Sequence, residues 1–460
     1  MTAAIPFRRI CSCALSGLAF CSASAMAGWS DPDPSFGADG LARVDIGSHS
    51  ADTAFVAAAD AHGNLYVAGS STAAATGGGY GVALAKFTHD GLVDTTFGDN
   101  GRIALDLAPG LNDRATAIGI GADGMLYVAG VEPTSAAGFP SDFFLMKFDL
   151  DGRPAPGFGS GGVVAIDATG TGTNDFVCSL AFDSHGKIYV AGEVRRPPHS
   201  DFAVLKFDAQ GQLDTTFGDN GRRVIDFGGD DTPYSVAMTA DDRLVIAGGT
   251  SAGSDYEFAA AMIDADGQLV DGFGEGGLAR FGVSDSHASA LAVALDRVGA
   301  VYLAGYTRSP QFNFAVVKLS AEGVLDTSFG DGGYREVDTG SGETDLLKSI
   351  LVDADDHVLL SGYRSNGAGA DFAVAALDRD GNVLDAFNPG GVRTYDFGSV
   401  AESANAMVLD PVTKGVVLAG YFSSDNASDF DFAAFRLPRG PAPDRLFANG
   451  FDLAAGAQRE

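Results

Sequence analysis

A phenylalanine-glycine turn that recurs along most of the chain is the feature that most restricts its fold. Successive copies are 56–61 residues apart. The seven phenylalanines are Phe36, Phe97, Phe158, Phe217, Phe273, Phe329 and Phe387, the last in a Phe-Asn variant. A second anchor, an apolar run ending in glycine, keeps the same period at Gly69, Gly130, Gly192, Gly248, Gly305, Gly362 and Gly420. Such self-similarity predicts seven copies of one structural unit.

Each unit contains four strand-like runs, which we label a, b, c and d. In and around the fourth unit, runs a, b and c span residues 222–227, 234–238 and 243–247, and a run d spans 201–207. Runs c and d are apolar at nearly every position, so both faces of these strands must be covered. Neighbouring blades provide such cover in a propeller, and seven blades fall within the usual range. The sequence therefore predicts an all-β, seven-bladed β-propeller with four antiparallel strands per blade.

The two ends of the repeat region suggest how the ring closes. The region begins with a run a at 41–45 and ends with a run d at 431–437. If each blade takes b, c and d from one unit and a from the next, the N-terminal run completes the last blade through backbone hydrogen bonds. In the alternative, each repeat forms its own blade and side-chain packing alone closes the ring. We expect the first arrangement.

The repeat motif itself matches a known pattern. Residues 213–221 read Leu-Asp-Thr-Thr-Phe-Gly-Asp-Asn-Gly, with a close variant at 325–330 and partner runs at 189–192 and 201–204. This motif resembles the bacterial delta-60 repeat over residue 35 to about residue 437. The resemblance implies a β-propeller in an exported or cell-surface bacterial protein. It carries over no general activity and no catalytic residue.

The N-terminus has the pattern of a secretory signal. Arg8 and Arg9 precede an apolar stretch over 10–25, which ends in small residues at 25 and 27. The alternative, a membrane anchor, is disfavoured because the stretch is short and contains serines. We expect a signal peptide over 1–27, a propeller over 28–437, and a proline-containing linker and tail over 438–460. The mature protein is then periplasmic, secreted or at the cell surface, while the role of the tail stays open.

The composition excludes several classes of partner. The chain has 60 acidic and 29 basic residues and a formal net charge of −31. Binding to nucleic acid or to anionic lipid needs a basic face, so we expect neither partner. The other three cysteines leave with the signal, so Cys178 is the single thiol of the mature chain and stability depends on a large core. Cys178 lies in an apolar run, and we interpret it as a small buried hydrophobe.

Two series of carboxylates recur in register around the a–b connection. The outer series, broken at Gly282, is Asp45, Asp106, Asp167, Asp226, Asp338 and Asp396. The inner series is Asp52, Asp113, Asp175, Asp231, Asp345 and Glu402. A ring of carboxylates could attract cations to the mouth of a channel. Repetition in nearly every blade is more typical of turn capping, and we favour that structural interpretation.

Sequence variation between repeats predicts the binding face. The b–c and d–a turns share one face of an antiparallel blade and are nearly uniform, whereas the a–b and c–d connections share the other face and vary. Recognition usually lies in variable loops on a uniform scaffold. We therefore predict a ligand on the second face, near the fifth unit, where Gly282 breaks the outer series. The candidate ligand-binding residues are Arg195, Arg196, Tyr306, Tyr363, Tyr421, Asp52, Asp113, Asp175, Asp231 and Asp345.

No motif predicts catalysis, a metal or a cofactor. The histidines are scattered without ligand spacing, and there is no nucleophile elbow and no phosphate-binding loop. Asp-x-Asp-Gly pieces such as 149–152 lack a downstream Glu and indicate hairpin turns. We expect a monomeric, non-catalytic binding or scaffold protein whose unknown extracytoplasmic ligand is a glycan or a protein. The alternative is a polysaccharide hydrolase or lyase with carboxylates in the central funnel.

Overall fold

The computed structural model describes residues 31–439, except 49, 136–140, 169–174, 253–254, 283–286, 309–310, 341, 343, 366, 368, 400 and 424–428. The described residues form 28 β-strands joined by turns and loops, and none of them lies in a helix. Within these ranges there is accordingly no helix long and apolar enough to span a membrane. The expected signal peptide and nearly all of the expected C-terminal tail lie outside the described residues.

The strands form seven four-stranded antiparallel sheets, one for each predicted blade. In the lists that follow, each blade is given from its inner strand outwards. Blades 1 and 2 are β2 (Asp52–Ala59), β3 (Leu65–Ser71), β4 (Gly81–Phe87), β5 (Arg102–Leu105), and β6 (Arg114–Ile120), β7 (Leu126–Pro133), β8 (Ser141–Phe148), β9 (Val163–Ile166). Blades 3 and 4 are β10 (Asp175–Phe182), β11 (Ile188–Arg196), β12 (His199–Phe207), β13 (Arg222–Ile225), and β14 (Asp231–Met238), β15 (Leu244–Ala252), β16 (Asp255–Ile263), β17 (Leu278–Phe281). Blades 5 and 6 are β18 (Ala288–Leu295), β19 (Val301–Arg308), β20 (Phe312–Leu319), β21 (Tyr334–Val337), and β22 (Asp345–Val352), β23 (Val358–Ser365), β24 (Ala370–Leu377), β25 (Val392–Tyr395).

Blade 7 is completed by the N-terminal strand. It contains β26 (Glu402–Leu409), β27 (Val416–Ser423), β28 (Phe430–Leu437) and, outermost, β1 (Ala42–Val44). β1 pairs antiparallel with β28, with Val44 opposite Phe432. The predicted closure by backbone hydrogen bonds is confirmed, and so is the seven-bladed propeller.

The recurring Phe-Gly turn joins each blade to the next. Gly218 donates its N–H to the carbonyl oxygen of Asp266 in the next blade, at 2.9 Å. The Phe217 ring is fully buried and meets the ring of Tyr189 edge-on, with 5.7 Å between centroids. The same glycine bond to the following blade is made by Gly37, Gly98, Gly159, Gly274 and Gly330. The uniformity of this motif therefore reflects packing between blades.

The recurring glycine of run c has a steric cause. Each inner strand carries a β-bulge, in β10 between Val177 and Ser179. The bulge brings the inner strand so close that a Cβ atom on Gly192 would lie 2.0 Å from the carbonyl oxygen of Phe176. In all seven blades the corresponding distance is 1.7–2.1 Å. Any side chain at this position would push the inner strand out of register.

The two faces of the ring are distinct, as predicted. On the face with the b–c and d–a turns, which we call the turn face, adjacent turns contact each other, and Ser184 N–H donates to Asp242 at 2.8 Å. On the face with the a–b and c–d connections, which we call the loop face, Ala51 forms a β-bridge with Phe430. Apolar side chains between adjacent sheets form the core, so the faces are left to polar and variable residues.

Candidate functional site

The seven inner strands enclose a central cavity of about 360 Å³. Its wall includes the bulge residue of six blades. These are Thr116, Cys178, Tyr234, Leu291, Lys348 and Asn405. A bulge re-aims the side chain of the extra residue, so each blade presents a different group to the channel.

Among the described residues that line the channel, Lys348 is the only charged one. It forms no ion pair within the described ranges, and burial lowers the pKa of its ammonium group. Its Nζ atom lies 5.9 Å from the centre of the Tyr363 ring, within the range of a cation–π interaction. An uncompensated ammonium group in a strongly acidic protein gives the channel local attraction for an anionic ligand group.

Aromatic side chains gather where the channel opens on the loop face. We call this group the mouth cluster and define it as Phe176, Glu193, Tyr234, Tyr256 and Tyr306. Phe176 is 42% exposed and Tyr234 is 38% exposed. Burial raises the pKa of Tyr234 to about 12, and Tyr306, Glu193 and Tyr256 add to this rise, so these groups lie within electrostatic reach of one another. The cluster offers aromatic surface with polar tips, which is typical of small binding pockets.

The mouth cluster lies beside the junction between blades 4 and 5. At this junction Gly282 and Ala288 stand where most other blades have the outer and inner carboxylates. The ring of Tyr256, from blade 4, lies 5.9 Å from the ring of His287, which precedes blade 5. The break in the carboxylate series therefore coincides with the aromatic surface.

Three of the predicted ligand-binding tyrosines form an arc on the same rim. Each follows the recurring glycine of its strand, in blades 5, 6 and 7. Tyr306 packs edge-on against Phe312 at 5.1 Å between centroids, and Tyr421 packs against Phe430 at 5.3 Å. Burial raises the pKa of Tyr363, and the charge of Tyr421 adds to that rise, so the two groups lie within electrostatic reach of each other. The structure therefore brings Tyr306, Tyr363 and Tyr421 onto one side of the channel mouth.

The two predicted arginines lie further out, at the tip of the β11–β12 hairpin. Both side chains are exposed. Arg196 Nη1 is 3.6 Å from Asp201 Oδ2, so this guanidinium is partly paired. Arg195 is two positions beyond Glu193 of the mouth cluster, and residues two apart in a strand point to the same side. Arg195 is thus placed to reach a ligand that rests on the cluster.

The inner carboxylate series is buried and holds the a–b connections. The five aspartates and Glu402 are each 0–1% exposed to solvent. Asp231 accepts bonds from the Phe227 N–H and from the Thr250 hydroxyl, both at 2.6 Å. Matching backbone N–H bonds reach Asp52, Asp113, Asp175, Asp345 and Glu402. The five aspartates considered as ligand-binding residues are therefore buried and hold the a–b connections, as the structural interpretation expects.

Burial dominates the electrostatics of the inner series. It raises the pKa of Asp231 to about 6 and that of Glu402 to about 7, although hydrogen bonds oppose the rise in both cases. A low-dielectric environment disfavours the charged form of a carboxyl group. These two groups titrate near neutral pH because they are buried, which is a property of the scaffold.

Three members of the outer series cap turns. Asp226, Asp338 and Asp396 each accept a bond from the N–H of the glycine two residues later, at 2.6–2.7 Å. The Asp-x-Asp-Gly pieces behave in the same way, since Asp149 accepts bonds from the N–H groups of Asp151 and Arg153. The hairpin interpretation of these pieces is confirmed.

Cys178 lies in the channel wall and also packs against the apolar core between blades 3 and 4. It is half-buried, and its Sγ atom donates to the carbonyl oxygen of Ala191 at 3.3 Å. Burial raises the pKa of the thiol, which keeps it protonated. A protonated thiol is a poor nucleophile, in agreement with the sequence interpretation.

Sequence reasoning missed several residues of the site. Phe176, Glu193, Tyr234, Tyr256 and Lys348 were not predicted. A signal for two of them exists, because the bulge residue stands three positions after the inner carboxylate, as Tyr234 follows Asp231. An aromatic or charged residue at that position interrupts an otherwise small or apolar strand. That this side chain faces the channel could be recognised only once the bulge was known from the structure.

The ring, the channel and the two unlike faces define the class of this protein as a seven-bladed β-propeller. A family model described as "Domain of unknown function (DUF5122) beta-propeller" matches residues 63–97 and 185–217. These segments contain run c, run d and the Phe-Gly turn of blades 1 and 3. No curated protein matches the chain in sequence.

Several solved propellers have a similar course of the chain. Sqt1 from Chaetomium thermophilum is 14% identical with a TM-score of 0.45, over 84% of this chain and 97% of that one. A protein of unknown function from Dyadobacter fermentans is 12% identical with a TM-score of 0.45, over 86% and 98%. An α-L-arabinanase from Penicillium chrysogenum is 9% identical with a TM-score of 0.44, over 70% and 92%. At these values the similarity assigns neither a ligand nor an activity to this chain.

Proposed function

We propose that this chain is an exported, non-catalytic binding or scaffold protein that presents the loop face of its propeller to an extracytoplasmic glycan or protein. The observation that carries this proposal is the mouth cluster, where Phe176 and Tyr234 are 42% and 38% exposed. Exposed aromatic groups around a concave opening are typical of binding sites. The glycine N–H bond of the Phe-Gly turn joins six of the seven blades to the next one.

The channel wall supports binding over hydrolysis. Glycoside hydrolysis usually needs two carboxyl groups on either side of the scissile bond. Of the residues that line the cavity in the described part of the chain, none is an aspartate or a glutamate. The inner carboxylates next to the mouth are buried and bound to backbone N–H groups. Among the described residues, the groups that face the channel are thus suited to contact a ligand and not to cleave it.

The exported location rests on the N-terminal sequence. Arg8 and Arg9, the apolar stretch that follows and the small residues before Gly28 have the order of a secretory signal. The expected cleavage follows Ala27. Intact-mass measurement of the protein recovered outside the cytoplasm tests it, and a mature start far from Gly28 would contradict it.

The binding proposal is tested on an array of immobilised neutral and acidic oligosaccharides, with the purified protein as probe. Tyr234→Ala and Tyr306→Ala should each lower the signal of any bound glycan about tenfold or more, because each removes aromatic surface from the mouth. Asp219→Ala, in an exposed d–a turn of the opposite face, is the matched control and should leave the signal unchanged.

Two results would count against the proposal. Binding that survives both tyrosine changes but falls with Asp219→Ala would place the site on the turn face. Cleavage of an oligosaccharide by the wild-type protein, detected as new reducing ends, would show that the chain is an enzyme. Circular dichroism and melting of each variant confirm that folding is unchanged.

A further inference from the structure

The seam where the ring closes brings together carboxylates from three strands. Asp45 follows β1, Asp431 lies in β28, and Asp52 begins β2 of blade 1. One carboxylate oxygen of each residue lies within 4.8 Å of the other two. Asp431 is 8% exposed and Asp52 is fully buried. Asp45 is partly exposed. Three carboxylates this close, two of them buried, repel one another unless a positive charge stands between them.

Asp431 points into this group without a partner of its own. Its carboxylate accepts no hydrogen bond and forms no ion pair within the described part of the chain. Arg43 is near, but its guanidinium lies over the Phe422 ring, 4.6 Å from the ring centre. A buried carboxylate with no donor indicates a missing partner.

Other blade junctions show what the seam lacks. Asp201, Asp226 and Asp231 occupy the same strand positions between blades 3 and 4, and their oxygens also lie within 4.8 Å of one another. There the protein provides a cation, because Arg196 Nη1 is 3.6 Å from Asp201 Oδ2. Between blades 6 and 7, Arg364 Nη2 is 3.8 Å from Asp371 Oδ2. At the seam, no arginine among the described residues forms an ion pair with Asp431, and the nearby Arg43 lies over the Phe422 ring.

We propose that the seam binds one divalent cation of the calcium class through carboxylate oxygens of Asp45, Asp52 and Asp431. Calcium ligands lie at about 2.3–2.6 Å, so oxygens on opposite sides of one ion are about 5 Å apart, which the observed group satisfies. Carbonyl oxygens and water complete such a shell. Because the three residues come from blades 7 and 1, the ion joins the first blade to the last and stabilises the closed ring.

The test is the melting temperature of the purified protein, stripped of metal with a chelator and titrated with CaCl₂. The titration extends to about 10 mM, above the about 0.1–1 mM affinities of extracellular calcium modules. The wild-type Tm should rise by about 2–5 °C, and NaCl at equal ionic strength should not reproduce the rise. Asp431→Asn, which has the same shape without the charge, should lose the rise. Asp201→Asn, where Arg196 already provides the cation, should keep it.

Equilibrium dialysis with calcium provides a second measurement that does not depend on melting. Asp431→Asn should bind one ion fewer than the wild-type protein, and Asp201→Asn should bind the same number. A wild-type Tm that does not respond to calcium, or an equal response of wild type and Asp431→Asn, would overturn the proposal. The second outcome would show that calcium stabilises the protein at a site other than the seam.

Discussion

On the turn face, the side chains that cross from blade to blade are the same in most repeats, whereas on the loop face they change at nearly every blade. Tyrosine and phenylalanine rings meet edge-on at 5.7–5.9 Å in blades 1, 2, 3 and 5. On the loop face, one strand position is occupied by Glu193, Gly249 and Tyr306 in three successive blades. We infer that the uniform contacts that hold the ring together lie on the turn face. Residues of the loop face can therefore vary and serve recognition.

Carboxyl groups on the two faces also have pKa values shifted in opposite directions. On the turn face, a 2.7 Å bond from Lys187 lowers the pKa of Asp214 to about 2. On the loop face, burial raises the pKa of Asp231 and of Glu402. Turn-face carboxylates are therefore stabilised by cations near the surface, and loop-face carboxylates are held by backbone N–H groups at the expense of their charged form.

The largest expected effect comes from removal of the strand that closes the ring. Deleting residues 28–47 takes β1 from blade 7 and exposes the edge of β28, so we expect a loss of several kcal/mol and a fall in Tm of about 10 °C or more. The melting is measured in chelator, so that cation binding plays no part. A synthetic peptide of residues 28–47 should restore part of the loss, and an unchanged Tm of the truncation would contradict the closure.

A pair of aromatic changes compares the faces directly. Phe217→Ala removes a fully buried ring of the turn face and should lower the free energy of unfolding by about 3–5 kcal/mol. Tyr306→Ala removes a half-buried ring of the loop face that packs on Phe312, and should cost about 1 kcal/mol. Urea denaturation measures both. Equal losses would remove the distinction between an assembling face and a recognising face.

The opposite pKa shifts predict different responses to pH. The folded-state pKa of Glu402 is raised above its unfolded value, so its contribution to stability is fully present below about pH 4.5 and is lost as the pH rises through about 7. This loss amounts to at most about 3 kcal/mol. Glu402→Gln should therefore flatten the fall in stability between pH 5 and pH 8, measured by urea denaturation at each pH.

Asp214 provides the matched control for this pH experiment. Its folded-state pKa is lowered to about 2, so its contribution is present above its unfolded value of 3.8 and is lost only as the pH falls through about 2. Asp214→Asn should lower stability by the same amount at pH 5 and pH 8. A change in slope for Asp214→Asn, or none for Glu402→Gln, would contradict the electrostatic contrast between the faces.

The smallest expected effect on stability comes from a substitution at the tip of the β11–β12 hairpin, on the loop face. Arg195→Ala changes an exposed side chain and should alter the free energy of unfolding by no more than about 0.5 kcal/mol. Any acidic glycan bound at the mouth should nevertheless lose affinity, measured by titration of that glycan. A stability loss as large as that of Phe217→Ala would show that this hairpin also assembles the ring.

Much of the fold was predictable from the sequence because the same strand pattern recurs in seven repeats. The number of blades and the position of the N-terminal strand follow from the recurring Phe-Gly turn and from the runs at 41–45 and 431–437. Strand lengths were less predictable. The run 243–247 continues as β15 to Ala252, because hairpin pairing with β16 extends the ladder beyond the apolar residues.

The candidate site was predictable only in part. The variable face was identified from loop variation, and Tyr306, Tyr363 and Tyr421 do lie together on its rim. Tyr234 and Lys348 were missed, because both belong to strands that the sequence describes as structural. Both side chains face the channel because they are the bulge residues of their strands. No local sequence pattern predicts the direction of a bulge residue's side chain.

By itself, the amino-acid sequence determined the architecture: a period of 56–61 residues with four strands per unit can cover both faces of each sheet only by repeating around a ring. Tertiary structure alone decided which side chains meet across blades. It buried the inner carboxylates against backbone N–H groups, exposed Tyr234 and Lys348 to the channel, and placed Asp45, Asp52 and Asp431 in one group. The physical reason is that blade contacts join residues far apart in sequence, 386 positions in the case of Asp45 and Asp431, and their geometry depends on closure of the whole ring.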